Sequence, residues 1–184
     1  MTVKEGVLNR RLAGDLDRAF PDFVTEMQGL VFNGARRWLP ARQDAEDVTQ
    51  EVFVKAYRAL QSYPEERVVD LALRPWLFTI TLNLCRNHAR TRGRRPHQVA
   101  LGRTDAPGPE TTEQSAIETV TVDEWRLRLG RLTARQRDAI VLRHVVGLTY
   151  DEIAAVVGHP AGTVKSDVHR GLDRLRSIIT EETT

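Results

Sequence analysis

The sequence predicts an all-α protein of two small helical domains joined by a flexible acidic linker, and three observations carry that reading. Apolar residues recur at spacings of three and four along most of the chain. The β-branched alternation between turn residues that marks strands is absent. Between the periodic halves lies a stretch of Gly, Pro, Thr and acids without periodicity, the composition of a linker. A chain of 184 residues is long enough for two such units, and a hydrophobic fraction of 41% with 28% charged residues describes a globular protein able to bury a core.

The first helix is expected from about Asp15 to Leu39, interrupted near Phe20 and Pro21. Phe23, Met27, Leu30, Val31 and Ala35 form its apolar stripe and Pro40 ends it. Asp44 stands where an N-cap belongs for a second helix, with Ala45, Val48, Val52, Ala56 and Ala59 on the inner face. The outer face carries Glu46, Asp47, Gln50, Glu51 and Lys55, so acids gather where the helix dipole favours them. After a turn at Tyr63 and Pro64, a third helix follows Pro75. It turns Trp76, Leu77, Ile80, Leu84 and Ala89 inward and Thr79, Asn83, Arg86, Asn87 and Arg90 outward.

Residues 1–95 form the first predicted domain, 96–121 the linker and 122–184 the second domain. Beyond Leu132 and Thr133 a helix with Ile140, Val141 and Val145 inward ends by Gly147. Thr149 and Glu152 have the spacing of a capping box, so the next helix runs from Tyr150 to Val157, and Gly158 with Pro160 stops it. The last helix sets Val164, Val168, Leu172, Leu175 and Ile179 inward and leaves Lys165, Ser166, His169, Arg170, Asp173 and Arg174 outward.

Net charge is only +2, but the charges are segregated. Arg86, Arg90, Arg92, Arg94 and Arg95 crowd one stretch, whereas Thr104 to Glu124 holds six acids and no Lys or Arg. The single cysteine, Cys85, excludes an internal disulfide and a multi-cysteine zinc site and favours a reducing compartment. No apolar run reaches membrane-spanning length and the N-terminus lacks a signal-peptide core, so the expected location is the cytoplasm. Nucleophile-elbow, Walker and zinc-protease motifs are absent, and the five histidines have no metal spacing. The expectation is a protein without catalytic residues, metal or cofactor.

Residues 149–176 fit a helix-turn-helix, whose second helix offers Lys165 and Arg170 to bases or phosphates, with Ser166 and His169 beside them. On pattern alone an ordinary helical hairpin with a solvated basic face fits as well. The Arg cluster beside Asn83 and Asn87, near Trp76 and Phe78, suits single-stranded nucleic acid. A solvated helix end is its plain counterpart, and core packing is the plainer role for Trp76. The acids from Asp44 to Glu51 repel DNA and suit either solvent or a basic protein partner.

Three stretches taken together resemble one family. DAEDVTQEVFVKAYRAL (44–60), RPWLFTITLNLCRNHARTRGRR (74–95) and LTARQRDAIVLRHVVGLTYDEIAAVVGHPAGTVKSDVHRGLDRLR (132–176) are similar, in order, to regions 2 and 4 of bacterial RNA polymerase sigma factors. The short chain without a region 3 domain resembles the extracytoplasmic-function (ECF) group. The resemblance implies a subunit that joins core polymerase and directs it to promoters. Its implied partners are core polymerase (the β′ clamp for region 2, the β subunit for region 4), promoter DNA and an anti-sigma factor.

By the same resemblance, Asp44, Glu46, Asp47, Gln50 and Glu51 are candidates for docking on polymerase, and Asn83, Arg86, Asn87 and Arg90 for capturing the melted minus-10 strand. Lys165, Ser166, His169, Arg170 and Arg174 are candidates for reading the minus-35 duplex, and the linker resembles the acidic connector that threads toward the RNA channels. Two departures stand out: Asp167, where the family often has Arg, and the apolar run Val68 to Leu73 before the Trp. A helix-turn-helix regulator acting without polymerase is the alternative reading; it has no need of the 44–60 and 74–95 motifs.

Overall fold

The computed structural model describes residues 3–94 and 113–183, and every regular element among them is helical. Among these residues nine α-helices follow in order: α1 Val3–Gly14, α2 Leu16–Trp38, α3 Arg42–Ser62, α4 Glu65–Val69, α5 Leu73–Arg94, α6 Glu113–Gly130, α7 Ala134–Ile140, α8 Tyr150–Val157 and α9 Ala161–Thr183. A π-helical turn, Val141–Val145, extends α7.

Helix α2 starts where Asp15 caps it, the Asp15 carboxylate accepting from the Arg18 amide at 3.1 Å. The expected interruption at Pro21 does not occur: α2 is continuous through it. Proline there forfeits one ladder bond, and the burial of Ala19, Phe23, Met27, Val31 and Ala35 along one face outweighs that loss. The helix stops because Leu39, directly before Pro40, is held extended at φ −105° and ψ 144°.

Helix α3 begins earlier than expected. Ala41 is the N-cap residue, without a side-chain cap, and Asp44 lies in the first turn. Its inner face is Ala45, Val48, Val52, Phe53, Ala56 and Leu60, while Ala59 is only half-buried. Phe23 and Phe53 meet edge-on with centroids 6.1 Å apart, and Phe20 meets Tyr57 likewise at 5.1 Å, clamping α2 to α3.

On α5 the two aromatics exchange the expected roles. Phe78 is fully buried, whereas Trp76 is half-buried against Tyr63, and Ala89 is exposed. Of the apolar departure from Val68 to Leu73, the two ends are core: Val68 and Leu73 are buried, while Asp70 and Ala72 are exposed. Helix α1 and the short α4, neither read from the sequence, pack against each other there. Asn9 of α1, fully buried, donates from Nδ2 to the Val69 and Leu71 carbonyls at 3.0 and 2.7 Å, satisfying the backbone between α4 and α5.

The linker segment is helical over its last part, because α6 starts at Glu113. From Glu113 to Leu129 no Gly or Pro breaks the chain. Residues 95–112, which hold Arg95 and the rest of the linker, lie outside the described residues.

Helix α8 matches its expected bounds. The Glu152 amide donates to Thr149 Oγ1 at 3.2 Å, and the Thr149 amide donates to Glu152 Oε2 at 2.7 Å. Gly158 closes it at φ +71°, a left-handed conformation that favours glycine. A second capping box, Thr133 with Gln136, starts α7. On α9 the buried stripe is Val164, Val168, Gly171, Leu175 and Ile178; Ile179, expected inward, is exposed.

The helices share a core across the two halves of the chain. One apolar cluster joins Phe23, Val52, Phe78 and Leu82 to Leu142, Leu148, Ile153 and Val164. Trp38 touches both this cluster and a second one around Leu129, Val141 and Ile178.

Candidate functional site

The C-terminal hairpin owes its shape to local chemistry. Capped α8, left-handed Gly158 and the inward stripe of α9 fix the rotation of α9, which leaves Lys165, Ser166, His169 and Arg170 exposed. Ser166 Oγ donates to the Gly162 carbonyl at 3.0 Å, so its free capacity is as an acceptor. Arg174 lies a turn further on, 3.7 Å from Glu181, and faces the C-terminal end of the helix. Beside Ser166 and Arg170 runs an open groove of about 540 Å³, floored by α7 residues Arg135 and Gln136.

Asp167 does not lie free among the cations. Its side chain is 15% exposed, and its Oδ2 accepts from Arg135 Nη2 at 3.1 Å and Nε at 3.2 Å. The acid thereby turns α7's guanidinium toward the groove, and Arg135 stands beside the α9 cations although the sequence reading did not single it out. Helix α9 lies close on α7 because Gly171 has no side chain: a Cβ there would meet Ile140 Cδ1 at 2.6 Å and Gln136 Cβ at 3.2 Å.

In the N-terminal half, Asn83, Arg86, Asn87 and Arg90 share one exposed face of α5, and the Arg90 guanidinium contacts Asn87 Oδ1. They line a cleft of about 450 Å³ that α7 closes from the other side with Arg137 and Asp138. Arg86 Nη2 donates to Asp138 Oδ2 at 2.7 Å; the Arg86 side chain is 47% exposed and that of Asp138 only 4%. Burial raises the Asp138 carboxyl above its ordinary value, against the pull of Arg86 and Arg137. Cys85, on the wall of the same cleft, is pushed up to about 12 by burial and, secondarily, by the Asp138 charge.

The acidic residues of α3 do not line this cleft. Asp47 and Gln50 are exposed and hold no side-chain partner among the described residues. Glu46 pairs with Arg42 at 2.8 Å and Glu51 with Lys55 at 3.2 Å, both exposed helix-surface pairs. Asp44 is half-buried, 3.6 Å from His88 Nε2 of α5.

The geometry therefore presents three separate polar faces on a helical frame, in the chain order that the sequence motifs indicate. Family models match both halves: sigma-70 region 2 over residues 23–95 and sigma-70 region 4 over residues 123–175. The chain belongs to the sigma-70 family. Its relatives include the ECF RNA polymerase sigma-E factor of Escherichia coli K12, 34% identical over 92% of this chain and 91% of that one. The RNA polymerase sigma-H factor of Pseudomonas aeruginosa is 32% identical over 86% and 84%.

Among solved structures, CnrH in complex with the cytosolic domain of CnrY matches with a TM-score of 0.72, at 26% identity, over 96% of this chain and 97% of that one. The sigma factor RpoE of Bartonella quintana, in complex with the anti-sigma factor NepR, matches with a TM-score of 0.67, also at 26% identity, over 88% and 96%.

The contacts that join region 2 to region 4 were not legible from the sequence. Besides Arg86 with Asp138, Arg36 Nη2 donates to Asp123 Oδ1 at 2.7 Å, and Arg74 Nη2 donates to the Val146 carbonyl at 3.1 Å. A signal for Asp138 existed: it lies three and four residues before Val141 and Leu142, an acid on an apolar face.

Proposed function

We propose that this sigma factor supplies promoter specificity to core RNA polymerase as a cytoplasmic, non-catalytic subunit, with residues 1–95 and 122–184 as its two functional units. Asp47 and Gln50, with Asp44, Glu46 and Glu51 around them, dock region 2 on the β′ clamp, and region 4 docks on the β subunit. Asn83, Arg86, Asn87 and Arg90 meet the melted minus-10 strand. Lys165, Ser166, His169 and Arg170 enter the minus-35 major groove, while Arg174 holds the flanking phosphate backbone. An anti-sigma factor is a further partner, since RpoE, a sigma factor of this fold, is seen with the anti-sigma factor NepR.

The observation that carries the reading is the rotation of α9. Burying Val164, Val168 and Gly171 leaves the early outward positions to a lysine, a serine, a histidine and an arginine, beside an open groove. The test is run-off transcription with core polymerase reconstituted with the full chain, together with direct measurement of core binding. Promoter-dependent transcripts are expected. A folded chain that fails to bind core at low salt would end the reading and favour a regulator acting on duplex DNA alone.

A further inference from the structure

Two charges in region 4 stand where simple electrostatics would not put them. Asp167 is an acid on the helix whose exposed residues include Lys165, His169 and Arg170. Arg135 is a cation in the first turn of α7, at the end where the helix dipole disfavours positive charge. Each compensates the other. Holding the two helices together does not account for the pair, because Gly171 already lets α9 lie against Ile140 of α7, and an ion pair whose cation is 53% exposed contributes little to stability.

What the contact fixes is direction. Arg135 Nε and Nη2 both donate to Asp167 Oδ2, at 3.2 and 3.1 Å, which sets the plane of the guanidinium where a single hydrogen bond would let it turn. The Nη1 donors of Arg135 hold no partner among the described residues, and the side chain lines the groove together with Ser166 and Arg170. A long side chain held in place before its ligand arrives loses less rotamer freedom on binding.

We propose that Asp167 is a positioning residue for duplex binding: it holds the Arg135 guanidinium at the edge of the groove, aimed at a DNA phosphate oxygen beside the bases that α9 meets. The inference rests on the minus-35 role proposed above for α9. Arg135 belongs to the neighbouring helix and not to the reading helix, so its contact is with the backbone and carries no sequence information. The proposal reverses the sign expected of an acid near DNA. The carboxylate repels phosphate, yet its hold on Arg135 outweighs that repulsion, so removing the negative charge weakens binding.

Asp167→Asn and Arg135→Ala, made singly and together in the full chain, test this. The probe is fluorescein-labelled duplex DNA of randomised sequence, which reads phosphate contacts apart from base readout. Anisotropy titrations over a KCl series give the affinity and its salt dependence, and circular dichroism reads helicity. Lys165→Ala, on α9 but outside the pair, tests the underlying role of the helix.

Asp167→Asn is expected to bind about threefold to tenfold less tightly than the wild type and to lower the salt slope by about one, as though a cation had been removed. Arg135→Ala should show the same two effects, and in its background Asp167→Asn should bring no further loss. A helical Asp167→Asn chain that binds as tightly as the wild type, or more tightly, would overturn the proposal. So would a loss of affinity at unchanged salt slope, the mark of a merely structural tie, or a loss that persists in the Arg135→Ala background. Lys165→Ala separates the two levels: unchanged affinity there removes α9 from duplex binding, whatever the pair does.

Discussion

Gly171→Ala puts a methyl group into the close contact between α9 and α7, and its effect can be worked from the distances. The new Cβ would lie 2.6 Å from Ile140 Cδ1 and 3.2 Å from Gln136 Cβ. The first neighbour is the end of a flexible side chain; the second is fixed to the α7 backbone. Alanine in a helix interior is better than glycine by about 1 kcal/mol, whereas overpacking a tight contact costs about 1 to 3 kcal/mol. The net expectation is a loss of roughly 0 to 2 kcal/mol.

Ile140→Val removes the atom in the way and alone costs about 0.5 to 1.5 kcal/mol. In the double variant the added methyl occupies space that the valine vacates. The pair is therefore expected to be more stable than the sum of the single effects by about 1 kcal/mol. Urea unfolding of the full chain, followed by circular dichroism, measures all four corners of the cycle, with equal slopes required for comparison. Additive single effects, to within about 0.5 kcal/mol, would show that Gly171 is not what lets α9 approach α7.

Three further outcomes are expected. Arg170→Ala weakens a cognate promoter by about 1 to 3 kcal/mol if it reads a base, and does so uniformly across a promoter library if it holds phosphate; equal transcription from wild type and variant across the library refutes both roles. Asp47→Lys lowers affinity for core polymerase while leaving helicity unchanged, and an unaltered core affinity counts against the α3 face.

Cys85, raised from 9.0 to about 12, reacts with iodoacetamide at pH 8 about a thousandfold more slowly than after unfolding in urea, following its thiolate fraction. Because the unfolded thiol ionises first, this group withdraws stability as pH rises from 9.0 towards about 12 and has no such effect at neutral pH. Equal alkylation rates in the folded and unfolded chain would show that Cys85 is not shielded.

What the sequence disclosed follows how local the cause is. Helix α8 was readable to the residue because Thr149, Glu152 and Gly158 act within a few positions of one another. The exposure of Lys165, Ser166, His169 and Arg170 on α9 followed from its stripe alone. Helix α1 escaped notice because only Leu8 and Leu12 among its described positions are buried apolar side chains, and it packs against α2 and, some fifty residues further on, α4.

Trp76 and Phe78 were transposed for a related reason, since two positions apart on α5 either could face inward, and neighbours on other helices decided it. The pairing of Arg86 with Asp138 spans 52 residues and left only an acid on an apolar face as a trace. The family resemblance located the candidate residues but gave no sign that α7 would line the cleft beside the α5 face.

The apolar cluster that runs from Phe23 to Val164 ties the two regions into one cooperative unit as long as they are closed. Heating the closed chain should then give a single calorimetric transition, with region 2 and region 4 melting together. Once the regions part, each keeps only its own fraction of that cluster and two smaller transitions replace the one. The shared cluster is thus expected to give each region a resistance to proteases that neither would hold by itself.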